Sequence, residues 1–396
     1  MLCQGKRKIG YAYDPKYTRI ADLLPSNIGR ATLVDDLIKS RHLLDHCHKI
    51  ISPSLASKEQ LTKFHDAKFI SFLLGEDVSL SDSEFEDETA ERTLQARFGL
   101  EFDCPLFEGL EKYVQAVAGT TIECARYLQE GYNTSKTDQY VAINWHGGRH
   151  HAGKAKCSGF CYVNDIVLGI LELRKTFEKV MYIDLDLHHG DGVEKSFAHS
   201  NTVLTLSLHR YDKGFFPGSG NTKFNGKAKG RNYTVNVGLK PGLGDASMNR
   251  LLQEVITPTV KQFKPGVLIV QCGADVLARD PTKEWNLSVK GHSAVIAKIV
   301  DYGLPTMLLG GGGYNHPDAA RLWCAVLGRL TIGDEVDGWD LIPEECNTIE
   351  QYAKDGYAQF PDDTRIIEDL NLRNNFLDRV IEHMNEQTNK IQDDTC

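Results

Sequence analysis

Two aspartates and a histidine stand at alternate positions in one short segment of this chain. Asp184, Asp186 and His188 occur in the run DLDLHHGDGV, separated by Leu185 and Leu187. Alternate residues of a strand point to the same face, so this spacing predicts that the three polar side chains converge. Buried carboxylates are costly without a compensating cation. The segment therefore predicts a metal site, and ordinary hydrogen bonding at a strand end is the alternative.

A third ligand for such a metal is offered by Asp275, which follows the apolar run at residues 267–272. Together with Asp186 and His188 it completes a set of three protein ligands. Three ligands leave one coordination position open for water, as in catalytic zinc sites. The set is rich in oxygen, so ligand type leaves Fe(II) and Mn(II) open beside zinc. For Asp275 alone, a helix N-cap is an equally good interpretation.

Other strand ends carry groups suited to proton transfer or charge stabilisation. His150 and His151 are adjacent, and the spare carboxylates Asp184 and Asp191 could each orient one imidazole, giving the two rings different tautomers and pKa values. Tyr314 follows a run of four glycines that lacks the Lys-Ser/Thr of a P-loop. We interpret that run as a close approach of the backbone to a pocket. The tyrosine hydroxyl would then stabilise an oxyanion, and a place in the core is the alternative.

These candidate residues follow short apolar runs, which we interpret as buried strands. The runs cover residues 139–145, 180–187, 202–208, 233–239, 267–272 and 306–309. Amphipathic segments with helical periodicity lie between several of them, at residues 165–177, 247–263 and 288–302. Residues 25–72, interrupted near Pro53, and residues 107–129 are also predicted to be helical. The alternation predicts a parallel sheet covered by helices, with ligands bound beyond the carboxyl ends of its strands.

Composition narrows the class of protein. The 396 residues are 41% hydrophobic and 25% charged, which is typical of a globular protein, and we expect one domain spanning residues 1–396. The acidic, serine-bearing residues 75–92 are predicted to form a surface loop. A formal net charge of -9 argues against direct binding to nucleic acid. The absence of a signal peptide, of a membrane-length apolar stretch and of a CxxC framework predicts no membrane partner and a location in the nucleus and/or cytoplasm.

Taken together, the motifs resemble those of the class I zinc-dependent histone deacetylases. The segments WHGGRHHA, SGFCYVNDIVLGI, DLDLHHGDGV, LSLHRYDKGFFPGSG, QCGAD and GGGGYN occur in the family's order, and the similarity runs from Lys8 to Phe376. The resemblance implies a single open α/β domain with a central eight-stranded parallel sheet flanked by helices, related to the arginases. It also implies hydrolysis of Nε-acetyl-lysine in histone tails or other proteins, which releases acetate and free lysine.

The resemblance further implies catalytic roles for the candidate residues. The implied zinc ligands are Asp186, His188 and Asp275. His151 resembles the family's general base, oriented by Asp191, and His150 pairs with Asp184. Tyr314 resembles the residue that polarises the acetyl carbonyl, and a tyrosine there favours class I over class II, where histidine is usual.

Substrate contacts are implied in the same way. Phe160 and Phe216 resemble the aromatic walls of an acyl-lysine tunnel that Gly159 also lines, and core packing is the alternative for the two rings. Asp103 resembles a rim carboxylate that accepts hydrogen bonds from the substrate backbone. Arg30 resembles the arginine of an internal acetate-release channel. For both charged residues, simple solvation at the surface is the alternative.

The family also binds monovalent cations, and two potassium sites are implied here. The residues that resemble the first site are Asp184, Asp186, His188, Ser207 and Leu208. The residues that resemble the second site are Phe197, Ser200, Val203 and Tyr233. Backbone carbonyls supply most of the ligands in such sites.

Two departures from the family pattern stand out. Arg149 occupies the position before the histidine pair, where an apolar residue is usual, so a charge either lies near the inner pocket or turns away from it. Pro281 and Pro317 stand where corepressor-bound members have arginines for an inositol phosphate. The second feature and the short C-terminus resemble the histone deacetylase 8 subgroup, which implies neither inositol phosphate nor an obligate corepressor.

Three alternative functions remain compatible with these motifs. An acetylpolyamine amidohydrolase or another small-amide metallohydrolase would share the fold and the ligands. A two-manganese ureohydrolase is disfavoured by Tyr314 and by the single Asp-x-His cluster. An inactive scaffold that binds acyl-lysine would need no base or tyrosine.

Overall fold

The computed structural model of the chain describes residues 6–78, 87–362 and 367–391. In these ranges the strands are β1 Arg7–Ala12, β2 Lys49–Ile51, β3 Gln139–Asn144, β4 Val180–Asp184, β5 Val203–Arg210, β6 Thr234–Leu239, β7 Val267–Gln271 and β8 Thr306–Leu309. They form one sheet in the order β2-β1-β3-β8-β7-β4-β5-β6. Every neighbouring pair is parallel. The predicted single α/β domain with an eight-stranded parallel sheet is confirmed.

Helices cover both faces of this sheet. They are α1 Pro15–Ala21, α2 Arg30–Ser40, α3 Lys58–Leu61, α4 Ala67–Leu73, α5 Asp87–Phe98, α6 Leu110–Thr134, α7 Asp165–Leu173, α8 Asp191–Phe197, α9 Asp245–Leu251, α10 Thr257–Phe263, α11 Val289–Val300, α12 His316–Thr331 and α13 Phe376–Thr388. A π-helical segment, Leu252–Ile256, joins α9 to α10. Short 3-10 turns occur at Pro25–Asn27, Leu43–His46, Ala228–Gly230, Gly333–Gly338, Ile349–Asp355 and Arg373–Asn375.

The alternation of side chains along the strands divides the interior into two cores. In β4, Met181 and Ile183 belong to the core that includes residues of α2, α11 and α12. Val180 and Tyr182 of the same strand belong to the opposite core, with residues of α6, α7 and α8. Because both faces of the strand are covered, its sequence is apolar at successive positions, which is typical of parallel sheets.

Local sequence signals explain where several helices begin. The Asn164 side chain accepts a hydrogen bond from the Val167 amide at the start of α7, at 3.0 Å. Ser288 caps α11 through the Gly291 amide at 2.9 Å. Short polar side chains at these positions satisfy amides that have no partner within the helix. These two caps define the first residues of α7 and α11. Both helices follow loops at the carboxyl edge of the sheet.

Six strands were predicted from their apolar runs, and the structure confirms all six with shifts of a few residues at the ends. The first two strands were not recognised from the pattern. The prediction that residues 25–72 are helical is wrong in part, because this stretch contains β2, Lys49–Ile51, and several short helices. β2 is an edge strand of three residues whose Lys49 and Ile50 are exposed, so it lacks the apolar signature of a buried strand.

The predicted surface loop at residues 75–92 is also wrong in part, since α5 begins at Asp87. Residues 79–86 of that loop lie outside the described residues. The helix is anchored by its second half, where Leu94 and Phe98 are buried. The Phe98 ring packs against Phe69 of α4, with ring centroids 5.4 Å apart. Two apolar residues four positions apart lie on the same face of the helix, and they are enough to pack it against the core although its first turns are acidic.

The strand order brings the candidate residues to one place. β3, β8, β7 and β4 are consecutive in the sheet, and they precede the histidine pair, the glycine run, Asp275 and the DLDLHHGDGV segment respectively. The carboxyl ends of adjacent parallel strands meet at one edge. The four segments therefore surround a single site.

Candidate metal centre and active site

The DLDLHHGDGV segment leaves the sheet earlier than its alternation suggests. β4 ends at Asp184, so Asp186 and His188 belong to the loop that follows the strand. Asp184 accepts hydrogen bonds from the Tyr182 hydroxyl at 2.7 Å and from the Asp186 amide at 3.1 Å. The three polar residues do come close to one another, but a tight loop, rather than strand pleating, brings them there.

Asp186, His188 and Asp275 form one compact cluster of potential metal ligands. One ligand atom from each residue lies within 4.8 Å of the other two. The His188 Nδ1 atom is 3.0 Å from Asp275 Oδ2 and 3.4 Å from Asp186 Oδ1. Both carboxylates are fully buried or nearly so, at 0% and 1% exposure. The predicted trio is thus brought together from two loops.

Both carboxylates of this cluster are held by neighbouring hydrogen-bond donors. Asp186 Oδ2 accepts from the Gln271 side-chain amide at 2.7 Å and from the Gly312 backbone amide at 2.9 Å. Asp275 Oδ1 accepts from the Leu187 amide at 3.0 Å. In each carboxylate one oxygen is anchored and the other is directed towards His188. Such outer contacts orient the ligands of metal sites.

The electrostatics of the cluster fit a divalent cation. Burial and the adjacent carboxylate of Asp186 raise the pKa of Asp275. Burial lowers the pKa of His188, but hydrogen bonds to both carboxylates outweigh burial and raise that pKa to about 10. Two buried carboxylates that face one imidazole nitrogen create a negative potential between them, which favours the binding of a cation. The donor set fits zinc, with oxygen-preferring metals such as Fe(II) also accommodated.

The adjacent histidines each contact a different aspartate, as the sequence predicted. His150 Nδ1 donates to Asp184 Oδ2 at 2.9 Å, and His151 Nδ1 donates to Asp191 Oδ1 at 2.9 Å. The two rings lie 3.9 Å apart between centroids. Because each Nδ1 is engaged by a carboxylate, each Nε2 is the nitrogen directed to the cavity.

The two histidines have opposite pKa shifts. Burial lowers the pKa of His150, but the carboxylates of Asp184 and Asp186 raise it to about 9. Burial and the charge of His150 lower the pKa of His151 to about 3, despite the contact with Asp191. Near neutral pH the His150 ring is therefore protonated and the His151 ring is neutral. The first can donate a proton and the second can accept one.

Tyr314 lines the same cavity as the two histidines. The loop that carries it is fixed by Asp280 Oδ2, which accepts from the Tyr314 amide at 2.7 Å and from the Asn315 amide at 3.2 Å. Burial and the charges of Asp275 and Asp186 raise the pKa of the Tyr314 hydroxyl well above its usual value. The hydroxyl therefore stays protonated and available as a hydrogen-bond donor.

The predicted tunnel residues surround the entrance to this cavity. The Phe160 ring lies 5.7 Å from the Tyr314 ring, and the Phe216 ring lies 4.9 Å from that of His151. Gly159 has a φ of +56°, and a Cβ on it would lie 2.4 Å from the His151 ring. Only glycine fits this position, because any side chain would collide with the histidine. Phe216 is 41% exposed, as expected at a rim.

Asp103 and Arg30 each hold one of the loops that line the site. Asp103 accepts a hydrogen bond from the Gly159 amide, so its carboxylate holds the tunnel loop. Arg30 is buried, and its Nη1 donates to the carbonyls of Gly311 and Gly313 at 3.0 Å each. The surface alternative is therefore excluded for Arg30, which is 3% exposed.

The residues predicted to bind monovalent cations fall into two groups. Asp184 and Ser207 are register partners on β4 and β5, next to the metal cluster. In the second group the Ser200 amide donates to the Phe197 carbonyl at 2.8 Å, and the Val203 amide donates to Ser200 Oγ at 3.1 Å. Tyr233 directly precedes β6, beside the start of β5.

Several residues around the site were not singled out from the sequence. Gln271 and Tyr182 orient Asp186 and Asp184. Lys195 contacts Asp191 at 2.6 Å and lies four residues after it on α8. For Lys195 the signal was present, since residues four apart on a helix are neighbours. For Tyr182 a signal was present as well, since alternate residues of β4 point to the same face. For Gln271 there was none, because Asp186 lies 85 positions away in the loop after β4.

Comparison with known proteins identifies the family. Residues 24–330 match the family model described as "Histone deacetylase domain". The chain belongs to the histone deacetylase family.

Several curated deacetylases are similar over most of the chain. Histone deacetylase 8 of Xenopus tropicalis is 38% identical over 339 residues, which is 84% of this chain and 88% of that protein. Histone deacetylase 8 of Danio rerio is 38% identical over 343 residues, covering 85% and 86%. Histone deacetylase 6 of Arabidopsis thaliana is 41% identical over 337 residues, covering 84% and 68%. The resemblance seen in the motifs is confirmed, and this histone deacetylase is a hydrolase that acts on acetylated lysine with a catalytic metal.

Proposed function

We propose that this deacetylase uses zinc, held by Asp186, His188 and Asp275, and that His150, His151 and Tyr314 carry out the chemistry around it. The observation that carries this proposal is the buried Asp-His-Asp cluster beside a histidine pair with opposite pKa shifts. When bound, zinc would supply Lewis-acid polarisation of the acetyl carbonyl and acidify a water.

The neutral His151 acts as the general base in this proposal. Its Nδ1 is occupied by Asp191, so Nε2 accepts the proton of the attacking water. The water oxygen forms a bond to the acetyl carbon, and the Tyr314 hydroxyl donates a hydrogen bond to the developing oxyanion. Collapse breaks the carbon–nitrogen bond, and the protonated imidazoles supply the proton that the leaving lysine amine needs. Acetate and free lysine result.

The proposed substrate is Nε-acetyl-lysine in histone tails or other proteins. Phe160 and Phe216 would enclose the aliphatic part of the lysine, with Gly159 leaving room for it. Asp103 would accept hydrogen bonds from the substrate backbone at the rim. The short contact that Asp103 already makes with the Gly159 amide supports this role, because it keeps the carboxylate beside the tunnel.

We further propose potassium at both groups of residues described above. For the first, the support is a fully buried Asp184 beside Ser207, close to the catalytic cluster. For the second, the support is a turn at residues 197–203 that gathers carbonyl and hydroxyl oxygens. Removing potassium would then alter activity without releasing zinc.

We propose that the enzyme needs neither an inositol phosphate nor a corepressor. Pro281 and Pro317 both line a groove of about 800 Å³. The Arg279 side chain in this groove is paired with Asp318 and Asp355, so its charge is already balanced. We likewise propose no direct contact with nucleic acid or membrane and a location in the nucleus and/or cytoplasm. None of the described helices has the length and apolarity to cross a membrane.

The proposed function is tested by a substrate and metal panel. Metal-free protein is reconstituted with zinc, with Fe(II) or with no metal, and assayed on acetyl-, crotonyl- and long-acyl-lysine peptides and on an acetylpolyamine. We expect metal-dependent release of acetate from the acetyl-lysine peptide. Turnover confined to the polyamine would instead favour a small-amide hydrolase, and tight peptide binding without acetate release would favour an inactive scaffold.

A further inference from the structure

The loop after β5 carries one wall of the tunnel. It comprises residues 211–220, and Phe216 lies in its middle. The Phe216 ring packs edge-on against His151 and His188, with ring centroids 4.9 and 5.9 Å apart. One of these histidines is the proposed base and the other is a proposed metal ligand. The distance between the wall and the catalytic residues therefore depends on how this loop is held.

One attachment joins the loop at Ser219 to the segment that carries the metal ligands. Ser219 Oγ lies 2.8 Å from Nδ1 of His189, which directly follows His188 in the chain. His189 is buried, and its Nε2 donates to Glu194 Oε2 at 3.0 Å. The same Glu194 oxygen accepts from the Asn236 side-chain amide at 2.6 Å. Contacts from α8 and β6 thus fix the His189 ring, and its Nδ1 faces the loop.

A second attachment joins the next residue of the loop, Gly220, to β5. His209 is fully buried, and its Nε2 donates to the Gly220 carbonyl at 2.8 Å. A carbonyl oxygen only accepts, so this nitrogen carries the proton. Burial and the neighbouring His189 lower the pKa of His209 well below its usual value, so the ring is neutral. Its Nδ1 then accepts from the Ser207 hydroxyl at 2.9 Å, and partners at both nitrogens hold the ring in one tautomer.

The two histidines hold consecutive residues and also pack against each other, with ring centroids 4.6 Å apart. Gly220 has a φ of +86°, and a Cβ on it would lie 2.2 Å from His209 Nε2. Only glycine allows this close approach of the backbone to the ring. The end of the loop is therefore fixed against a buried pair of imidazoles, and Phe216 lies only three residues before the first attachment.

We propose that His189 and His209 are positioning residues for the tunnel wall at Phe216. They act by holding Ser219 and Gly220, the two residues that end the loop. The inference rests on the proposed function, because the wall matters only if an acylated lysine enters the tunnel. A loop that is already ordered loses little conformational entropy when the lysine stem packs against Phe216. A loop released at either attachment must be ordered by the substrate, so the histidines affect substrate binding more than the chemical step.

Ser219→Ala tests the first attachment and leaves His189 and the metal ligands in place. We expect KM for an acetyl-lysine peptide to rise about two- to tenfold, the range that follows from losing one hydrogen bond. The kcat should stay within about twofold of wild type, and the zinc content should not change. Ser219→Thr keeps the hydroxyl and should restore KM. Ser40→Ala is the matched control, because it loses a hydroxyl bond to the Leu37 carbonyl at the end of α2 and should leave KM unchanged.

His209→Gln and His209→Asn test the second attachment. A glutamine side chain can place an N–H donor near the position of Nε2, whereas the shorter asparagine can replace only the group at Nδ1. We expect His209→Asn to raise KM about as much as Ser219→Ala does, and His209→Gln to stay closer to wild type. A lower melting temperature in both variants with equal KM values would contradict the role of His209. If neither variant folds, Ser219→Ala decides the proposal.

Hydrogen–deuterium exchange measures the loop itself, on zinc-loaded protein without substrate. The amides of Phe215 and Gly218 donate to carbonyls within the loop at 3.1 and 2.8 Å. They should exchange about two- to tenfold faster in Ser219→Ala, and at the wild-type rate in Ser219→Thr and Ser40→Ala. Unchanged exchange, or an unchanged KM, in Ser219→Ala would overturn the proposal. Faster exchange in a protein that hydrolyses no acylated peptide would support the attachment of the loop and count only against the proposed function.

Discussion

The Lys195 Nζ atom lies 2.6 Å from Asp191 Oδ2, while the other oxygen of the same carboxylate holds His151 at 2.9 Å. Asp191 is buried, whereas the Lys195 side chain is 67% exposed. The carboxylate therefore connects a lysine at the surface to the imidazole that we propose as the general base. Burial raises the pKa of Asp191, but hydrogen bonds from His151 and the contact with Lys195 outweigh burial and hold that pKa well below its usual range.

Replacing Lys195 tests whether this surface contact positions the base. Lys195→Met removes one of two contacts that fix Asp191, so we expect kcat/KM to fall about two- to fivefold, with KM and zinc content unchanged. The magnitude follows from partly exposed ion pairs, which contribute up to about 1 kcal/mol. Lys195→Arg should restore most of the activity. Steady-state kinetics on an acetyl-lysine peptide provide the measurement.

Lys63 and Lys154 provide matched controls for this prediction. Both line the same external cavity as Lys195. Within the described chain neither side chain makes an ion pair. Lys63→Met and Lys154→Met should therefore leave kcat/KM unchanged. An equal loss in all three variants would show that general surface charge, not the Asp191 contact, is responsible.

Tyr314→Phe separates oxyanion stabilisation from metal binding. The substitution removes only the hydroxyl, and Tyr314 is not among the cluster that could hold the metal. We expect kcat to fall by about 10²- to 10³-fold, the usual effect of losing one oxyanion donor, with zinc retained at one ion per chain. Turnover at the wild-type rate would remove Tyr314 from the mechanism.

Asp275→Ala should abolish metal binding. The substitution removes a fully buried oxygen 3.0 Å from His188 Nδ1 and leaves only two side chains in the cluster. We expect zinc measured by elemental analysis to fall far below one equivalent, and activity to fall with it. Asp280→Asn is the matched control. Asp280 holds the backbone of Tyr314 and lies outside the metal cluster, so this variant should keep its zinc.

The metal trio illustrates what the sequence reveals well. Asp186, His188 and Asp275 were predicted because each follows a buried strand, and parallel strands end at one edge of a sheet. That rule depends on topology and not on details of conformation. The argument from strand alternation was less accurate, because β4 ends at Asp184 and the chain then turns. The residues converge through backbone geometry that a period-two pattern does not contain.

Contacts that depend on distant segments were not predictable in the same way. Gln271 holds Asp186 across 85 positions of the sequence, and Arg30 reaches the carbonyls of Gly311 and Gly313 across more than 280. β2 was missed because three residues at a sheet edge carry no periodic signal. The charge of Arg149 was recognised, but its lack of an acidic partner emerged only from packing.

Asp36 offers a test of fold stability away from the catalytic cavity. Its carboxylate joins α2 to a late loop by accepting from Asn347 Nδ2 at 2.7 Å and from the Thr348 amide and hydroxyl at 2.8 and 2.9 Å. Burial raises the pKa of Asp36, but these hydrogen bonds outweigh burial and lower it. Because the folded pKa is below the unfolded one, the stabilisation is present above about pH 4 and is lost as pH falls through the folded pKa.

Asp36→Asn should therefore destabilise the protein by about 1 to 3 kcal/mol at pH 7, since Asn347 and Thr348 lose a charged acceptor. The difference from wild type should shrink as pH falls below about 4, because the wild-type carboxylate is then protonated as well. Denaturant unfolding at several pH values measures both effects. Asp45→Asn is the control, because that carboxylate is 78% exposed and its partner His42 is 3.7 Å away. A penalty for Asp36→Asn that stays constant across the pH range would mean that packing of α2, and not the ionised carboxylate, holds the late loop.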